Sequence, residues 1–249
     1  MFVERLRVVI PTDTPELLDL WPFTLAPVKQ LIGHGLVFDR PTTLLVGENG
    51  SGKSTMLEGV AEAYGIDVRG GHAGRRYASP IERGLLGRHL SIHTSRRDAR
   101  GRGRHGRGYF LRADSALGVF QYMSDHGVAG YGTKHLAEVS HGESFLQVAG
   151  GRFDRAGLYL LDEPDAPLSY ESCLVLMKQI QRVEKLGGQV ICATHSPLLS
   201  ALPNARILQL SDRGIERLAW AQLSLVRNWR NYLANPQAVI DAALTSLGS

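Results

Sequence analysis

The sequence predicts an α/β domain with a mostly parallel central sheet. Three observations carry that expectation. First, TTLLV (42–46), LYLLD (158–162) and QVICAT (189–194) are apolar at nearly every position, as in strands buried on both faces. Second, two of these runs lead into segments whose apolar residues recur at helical spacing. Third, each run ends abruptly in polar residues: GENG, then Glu163-Pro164, then His195-Ser196. Strand and helix alternating in this way indicate parallel strands joined by crossover helices.

The elements follow in chain order. FVERLRVVI and LVF read as strands ahead of TTLLV. After GENGSGKST comes a helix with Met56, Leu57, Val60, Ala61 and Tyr64 on one side and a stop at Gly65. Residues 66–112 form a Gly/Arg-rich variable insertion without a sustained period, with GYFLRAD at its end as a further strand. A short helical lobe is expected over 113–145. Ser169 is placed to cap the helix after LYLLDEP, whose apolar face is Leu174, Met177, Ile180 and Val183. Lys185 and Gly187-Gly188 end that helix. Ser196-Pro197 is a second helix start. RILQLSDRGIERLAW is a hairpin turning at 212–214, and 221–249 is a helical tail broken near Asn235-Pro236. The 249 residues are read as one domain.

Composition excludes several classes. The two cysteines, Cys173 and Cys192, sit in apolar runs and suit neither a disulfide framework nor a zinc site, which indicates a reducing, cytoplasmic setting. His72, His89 and His93, with the last two read as helical neighbours, lack the cysteines or carboxylates that would complete a metal set. No apolar run approaches the ~18 residues of a membrane span, and MFVERLRVVIP lacks the features of a signal peptide. The net charge of +4 is unremarkable, but 23 arginines face only five lysines.

Gly47-Glu48-Asn49-Gly50-Ser51-Gly52-Lys53-Ser54 fits the P-loop pattern at every fixed position. Glycines at 47, 50 and 52 let backbone N–H groups of a loop that also includes Asn49 and Ser51 turn inward on a polyphosphate. The following helix adds its positive end. Lys53 is expected to reach the β- and γ-phosphates, Ser54 to take a Mg²⁺ position and Thr55 to assist at the α-phosphate. Asp162 and Glu163 end an apolar strand. Asp162 suits a hard cation or one of its waters, and Glu163 suits the general base that polarises an attacking water. If QVICAT lies beside the P-loop strand, His195 reaches the γ-phosphate. ATP and Mg²⁺ are therefore the expected ligands.

P-loop, then Ser140-His141-Gly142-Glu143, then LYLLDE, then a strand ending in histidine: in this order the chain resembles the ABC-class ATPases, from about Leu44 to Ser196. VGENGSGKST, EVSHGESF, GLYLLDEPD and ATHSPLL look like the compact, stand-alone bacterial members of the AAA-family or ABC-like kind. The resemblance implies a P-loop NTPase fold with an ABC-type core, a short helical subdomain and a helical C-terminal tail. It also implies that Ser140 and the Gly142 backbone complete the ATP site of a second protomer in a head-to-tail homodimer. Departures from the pattern are His141 in place of a glycine, Ser169 in place of an aspartate, and Arg112 or Asp114 where a glutamine would stand. Residues 114–140 are short for the helical subdomain of transporter ATPases, and no heptads mark a coiled coil.

The expected function is thus an Mg-dependent ATPase that dimerises on ATP and drives a conformational change in a partner. The alternatives are an ABC transporter subunit, a DNA- or RNA-handling ATPase without a coiled coil, and a regulatory ATP-binding module with little turnover. A GTPase would show an Asn-Lys-x-Asp reader, which is absent. Arg96–Arg107, interleaved with glycine, is the densest charge and is a solvated loop, a nucleic-acid contact, or a protein or nucleotide contact.

Overall fold

The computed structural model describes residues 1–69, 71–72, 83–94, 107–113, 146, 150–151 and 153–247. Strands β1 to β10 span Arg5–Val8, Leu36–Val37, Thr42–Val46, Gly71–His72, Leu90–His93, Gly108–Arg112, Leu158–Asp162, Gln189–Thr194, Arg206–Ser211 and Gly214–Arg217. Helices α1 to α6 span Ala26–Gly33, Lys53–Tyr64, Leu85–His89, Tyr170–Lys185, Ser224–Ala234 and Pro236–Leu247.

Among the described residues, seven strands form the central sheet in the order β10-β9-β3-β8-β7-β6-β4. The five from β9 to β6 are parallel, and an antiparallel strand closes each edge. This is the expected α/β architecture with a mostly parallel central sheet. β8 pairs with β3 from Thr42↔Val190 to Val46↔Thr194, so the strand carrying His195 does lie beside the P-loop strand.

The consecutive apolar runs have a direct cause. Alternate side chains enter two different cores. Leu45, Leu158, Leu160, Ile191 and Ala193 face the side covered by α1 and α2. Leu44, Val46, Tyr159, Leu161, Val190 and Cys192 face the side covered by α4. Each fully buried aliphatic side chain contributes about 1.5–3 kcal/mol. A one-residue register slip would exchange the two sets, which fixes the pairing.

Several local expectations are borne out. The Ser169 hydroxyl accepts from the Ser172 amide and caps α4. The α4 terminus closes with Gly187 in the left-handed region at φ 77°. The β9–β10 hairpin turns at Asp212-Arg213, and the tail breaks at Asn235.

Three expectations need correction. The buried stripe of α4 is Cys173, Leu176, Ile180 and Val183, with Leu174 only half-buried, because the helix is rotated from the predicted face. Ser196-Pro197 starts only a short 3-10 turn at Leu199–Ala201, with the Ser196 hydroxyl accepting from the Leu199 amide. Within 66–112, residues 85–93 are regular structure. α3 packs Leu86 against α2, where a Cβ on Gly59 would come within 2.8 Å of it. β5 pairs antiparallel with β1 from Arg5↔His93 to Val8↔Leu90. His89 therefore ends a helix and His93 ends a strand, and the two are not helical neighbours.

Candidate active site

The site forms at the carboxyl ends of β3, β7 and β8, the crevice where open α/β sheets bind ligands. β3 runs into the loop 47–52, and α2 begins at Lys53. Gly52 has φ 93°, a conformation that a side chain would strain. Gly47 is required by close approach: a Cβ there would sit 2.4 Å from the Leu210 carbonyl of β9. The loop thus curls because β9 presses on one end and a left-handed residue closes the other.

Lys53 is buried, at 4% exposure. Its Nζ donates to the carbonyls of Gly47 and Glu48, each at 2.9 Å. Burial lowers its pKa, and the nearby Glu163 and Asp162 carboxylates oppose that shift. The Ser54 hydroxyl, one residue on, donates to Asp162 Oδ1 at 3.0 Å. Asp162 is buried at the end of β7. Desolvation raises its pKa, while the Ser54 hydrogen bond and the Arg112 guanidinium pull the other way. Two hard oxygen donors converge here, one of them a buried carboxylate. This donor set fits a magnesium ion.

Glu163 is a non-glycine residue at φ 49°. Its backbone amide donates to the Ala193 carbonyl at 3.0 Å, which ties the end of β7 to the end of β8. A residue held in this region costs on the order of 1–3 kcal/mol and persists only where its surroundings enforce it. The turn aims the half-exposed carboxylate at His195, whose Nε2 is 3.3 Å from Glu163 Oε1. The geometry is not that of a hydrogen bond, and Nε2 is buried without a hydrogen-bond partner among the described residues. A cavity of about 470 Å³ is lined by Ser54, Arg112, Asp162, Glu163 and Pro167. A second, of about 760 Å³, lies on the outer side of the loop from Gly47 to Ser51, against Leu25, Arg213 and Arg227.

Set beside known proteins, the chain is 31% identical over 178 residues to the cytochrome c biogenesis ATP-binding export protein CcmA of Salmonella typhi, covering 68% of this chain and 83% of that one. The chain belongs to the ABC-class P-loop ATPases. It is an ATP-binding, ATP-hydrolysing protein of that class. The ribose import ATP-binding protein RbsA 2 of Burkholderia pseudomallei is 29% identical over 215 residues, 76% of this ATPase and 39% of that protein. A solved structure described as an inward-facing metal-chelate type ABC transporter superposes with a TM-score of 0.49 at 13% identity, covering 88% of this chain and 84% of the other. The family assignment rests on the relatives. No protein-family model matches the chain.

Of the residues expected at the ATP site, Gly47, Asn49, Gly50, Ser51, Gly52, Lys53, Ser54 and Thr55 lie on the β3–α2 junction; Ser54 shares a cavity with Asp162 and Glu163, while Gly47, Asn49, Gly50 and Ser51 line the second one. Ser140 and Gly142 lie outside the described residues, as do His141, Asp114 and 96–106. Arg107 is described and exposed, just before β6.

Two features escaped the sequence reading. Arg112, left without a role, pairs in register with Asp162 at the end of β6, and its guanidinium bonds Glu58 on α2. Asp165 was given no role from the sequence. It accepts a 2.6 Å hydrogen bond from Thr194 Oγ1. Glu58 stands one helical turn after Ser54, a spacing that could have flagged it. Nothing in the sequence links positions 165 and 194.

Proposed function

We propose that this ATPase works as a MgATP-closed homodimer in which Glu163 is the general base. The observation that supports it most is the convergence of Ser54, Asp162, Glu163 and His195 on one crevice beside the P-loop lysine. Ser54 and Asp162 would hold the magnesium ion, which when bound neutralises phosphate charge and orients the terminal phosphoryl group. Lys53 would exchange its bonds to the Gly47 and Glu48 carbonyls for the β- and γ-phosphates. The Glu163 carboxylate would orient the attacking water and accept its proton. His195, whose buried Nε2 has no hydrogen-bond partner among the described residues, would donate to the γ-phosphate. Ser140 and the Gly142 amide of a second protomer would complete the site, so that two chains share each γ-phosphate.

Light scattering on Glu163→Gln in saturating MgATP tests this. A dimer is expected, since binding survives and hydrolysis does not release it. A monomer with ATP bound would contradict the shared site.

One observation favours a specific partner class. The relatives are named as export and import ATP-binding proteins, which supports a membrane-protein partner despite the short 114–140 segment. Co-purification of an integral membrane protein from the native membrane is expected on this reading. Salt-sensitive stimulation of ATPase activity by DNA or RNA would instead direct attention to Arg96–Arg107.

A further inference from the structure

We propose that Asp165 and Thr194 form a strut that positions Glu163 against His195, so that both are positioning residues for ATP hydrolysis. The inference rests on Glu163 and His195 being the reacting pair. Two loops carry these side chains, the turn after β7 and the segment after β8. Three hydrogen bonds cross or brace them. Glu163 N donates to Ala193 O at 3.0 Å. Thr194 Oγ1 donates to Asp165 Oδ1 at 2.6 Å. Ser196 N donates to Thr194 Oγ1 at 2.9 Å.

The Thr194 hydroxyl therefore serves two ends at once. Its proton fixes the Asp165 carboxylate, and its oxygen fixes the backbone immediately after His195. Glu163 and His195 are the residues adjoining this strut, and their side chains meet at 3.3 Å. Thr194 is fully buried, at 0% exposure. A β-branched valine would fill the same space on β8 but could neither donate nor accept. The turn also holds Asp165 from its own side: Ala166 N donates to Glu163 O and Leu168 N to Asp165 O, each at 3.0 Å. The first of the two anchored residues is Glu163 itself, at φ 49°.

A neutral backbone tether alone leaves the turn free to pivot about the Glu163–Ala193 bond. The second anchor, two residues along the first segment and one along the second, removes that pivot. This is a role in the orientation of a base rather than in holding nucleotide. Neither Asp165 nor Thr194 lines the cavity that Ser54, Asp162 and Glu163 share.

Steady-state ATP hydrolysis and equilibrium nucleotide binding on the full chain separate these roles. Thr194→Val and Asp165→Ala are each expected to lower kcat by about tenfold to a hundredfold, the scale of an ångström-level misplacement. Nucleotide affinity should stay within about twofold. The double variant should lose no more than the worse single one, as for partners in one interaction. Thr194→Ser and Asp165→Asn keep a donor and an acceptor and should restore turnover, which a merely space-filling role would not require. Wild-type kcat in Thr194→Val, additive losses, or a matching loss of nucleotide affinity would overturn the strut. If Glu163→Gln abolishes hydrolysis while Thr194→Val leaves it intact, the strut alone fails. If Glu163→Gln hydrolyses ATP like the wild type, the assignment of the reacting pair fails and the strut falls with it.

Discussion

The two ends of the parallel strands are built on opposite plans. At the amino ends, one buried side chain is fully matched, although the Thr42 and Thr43 hydroxyls of β3 are buried without a hydrogen-bond partner among the described residues. Gln189, at the start of β8, is 1% exposed; its Oε1 accepts from the amides of Phe2 and Val3, and its Nε2 donates to the Val3 carbonyl, each at 2.8 Å. The same level carries the backbone bonds from Leu158 N to Arg107 O and from Val190 N to Pro41 O. At the carboxyl ends, polar groups are held against their preference. Asp162 is desolvated, Lys53 is buried, Glu163 is in a left-handed conformation and His195 Nε2 has no hydrogen-bond partner among the described residues. One sheet thus carries, at its amino end, a satisfied Gln189 that stabilises the fold and, at its carboxyl end, strained groups kept for chemistry. Local consistency is expected to fail at functional sites.

The largest expected effect falls at the strained end. Glu163→Gln should lower ATP turnover by about 10²–10⁴-fold, the usual weight of a general base, with the melting temperature unchanged. Loss of stability without loss of turnover would erase the distinction between the ends. At the satisfied end, Gln189→Ala should do the reverse. Removing the shared acceptor of two buried amides is expected to cost about 2–4 kcal/mol. A calorimetric scan should show this as a fall of about 5–10 °C at this chain length, with kcat intact where the protein is folded. The smallest effect belongs to the rim. Asp39 accepts from Arg206 at 3.0 and 2.6 Å, and that hydrogen bond holds its carboxyl below the usual range. The pair is partly exposed, so Asp39→Asn should cost less than about 1 kcal/mol. Because the folded pKa is the lowered one, the contribution is present above the ordinary carboxylate value. It fades as pH falls through the folded value. Melting of both proteins between pH 7 and pH 3 should show the gap closing on the acid side.

What could be read in the sequence follows the range of the interactions. The β3–loop–α2 unit is legible because strand burial, glycine spacing and the helix start all fall within 42–64. β7 and β8 are legible by continuous hydrophobicity, and their terminal acids and histidine gain meaning from the P-loop. α3 and β5 were not legible. Five-residue and four-residue elements hold too little period, and β5 is fixed by β1, more than 80 positions earlier. The rotation of α4 toward Leu176 depends on the packed surface beneath it, which spacing alone does not specify. Arg112–Glu58 and Asp165–Thr194 join positions 54 and 29 apart, contacts that only the sheet order brings about.

The most direct test of the contrast is thermal denaturation of Asp162→Asn with and without MgATP. Without nucleotide, removing a desolvated charge while keeping an acceptor for Ser54 should raise the melting temperature by about 2–4 °C, roughly 1 kcal/mol. MgATP should stabilise the wild type strongly and the variant far less. A variant that melts below the wild type without nucleotide, yet gains as much from MgATP, would contradict the claim that this end holds strained groups for chemistry.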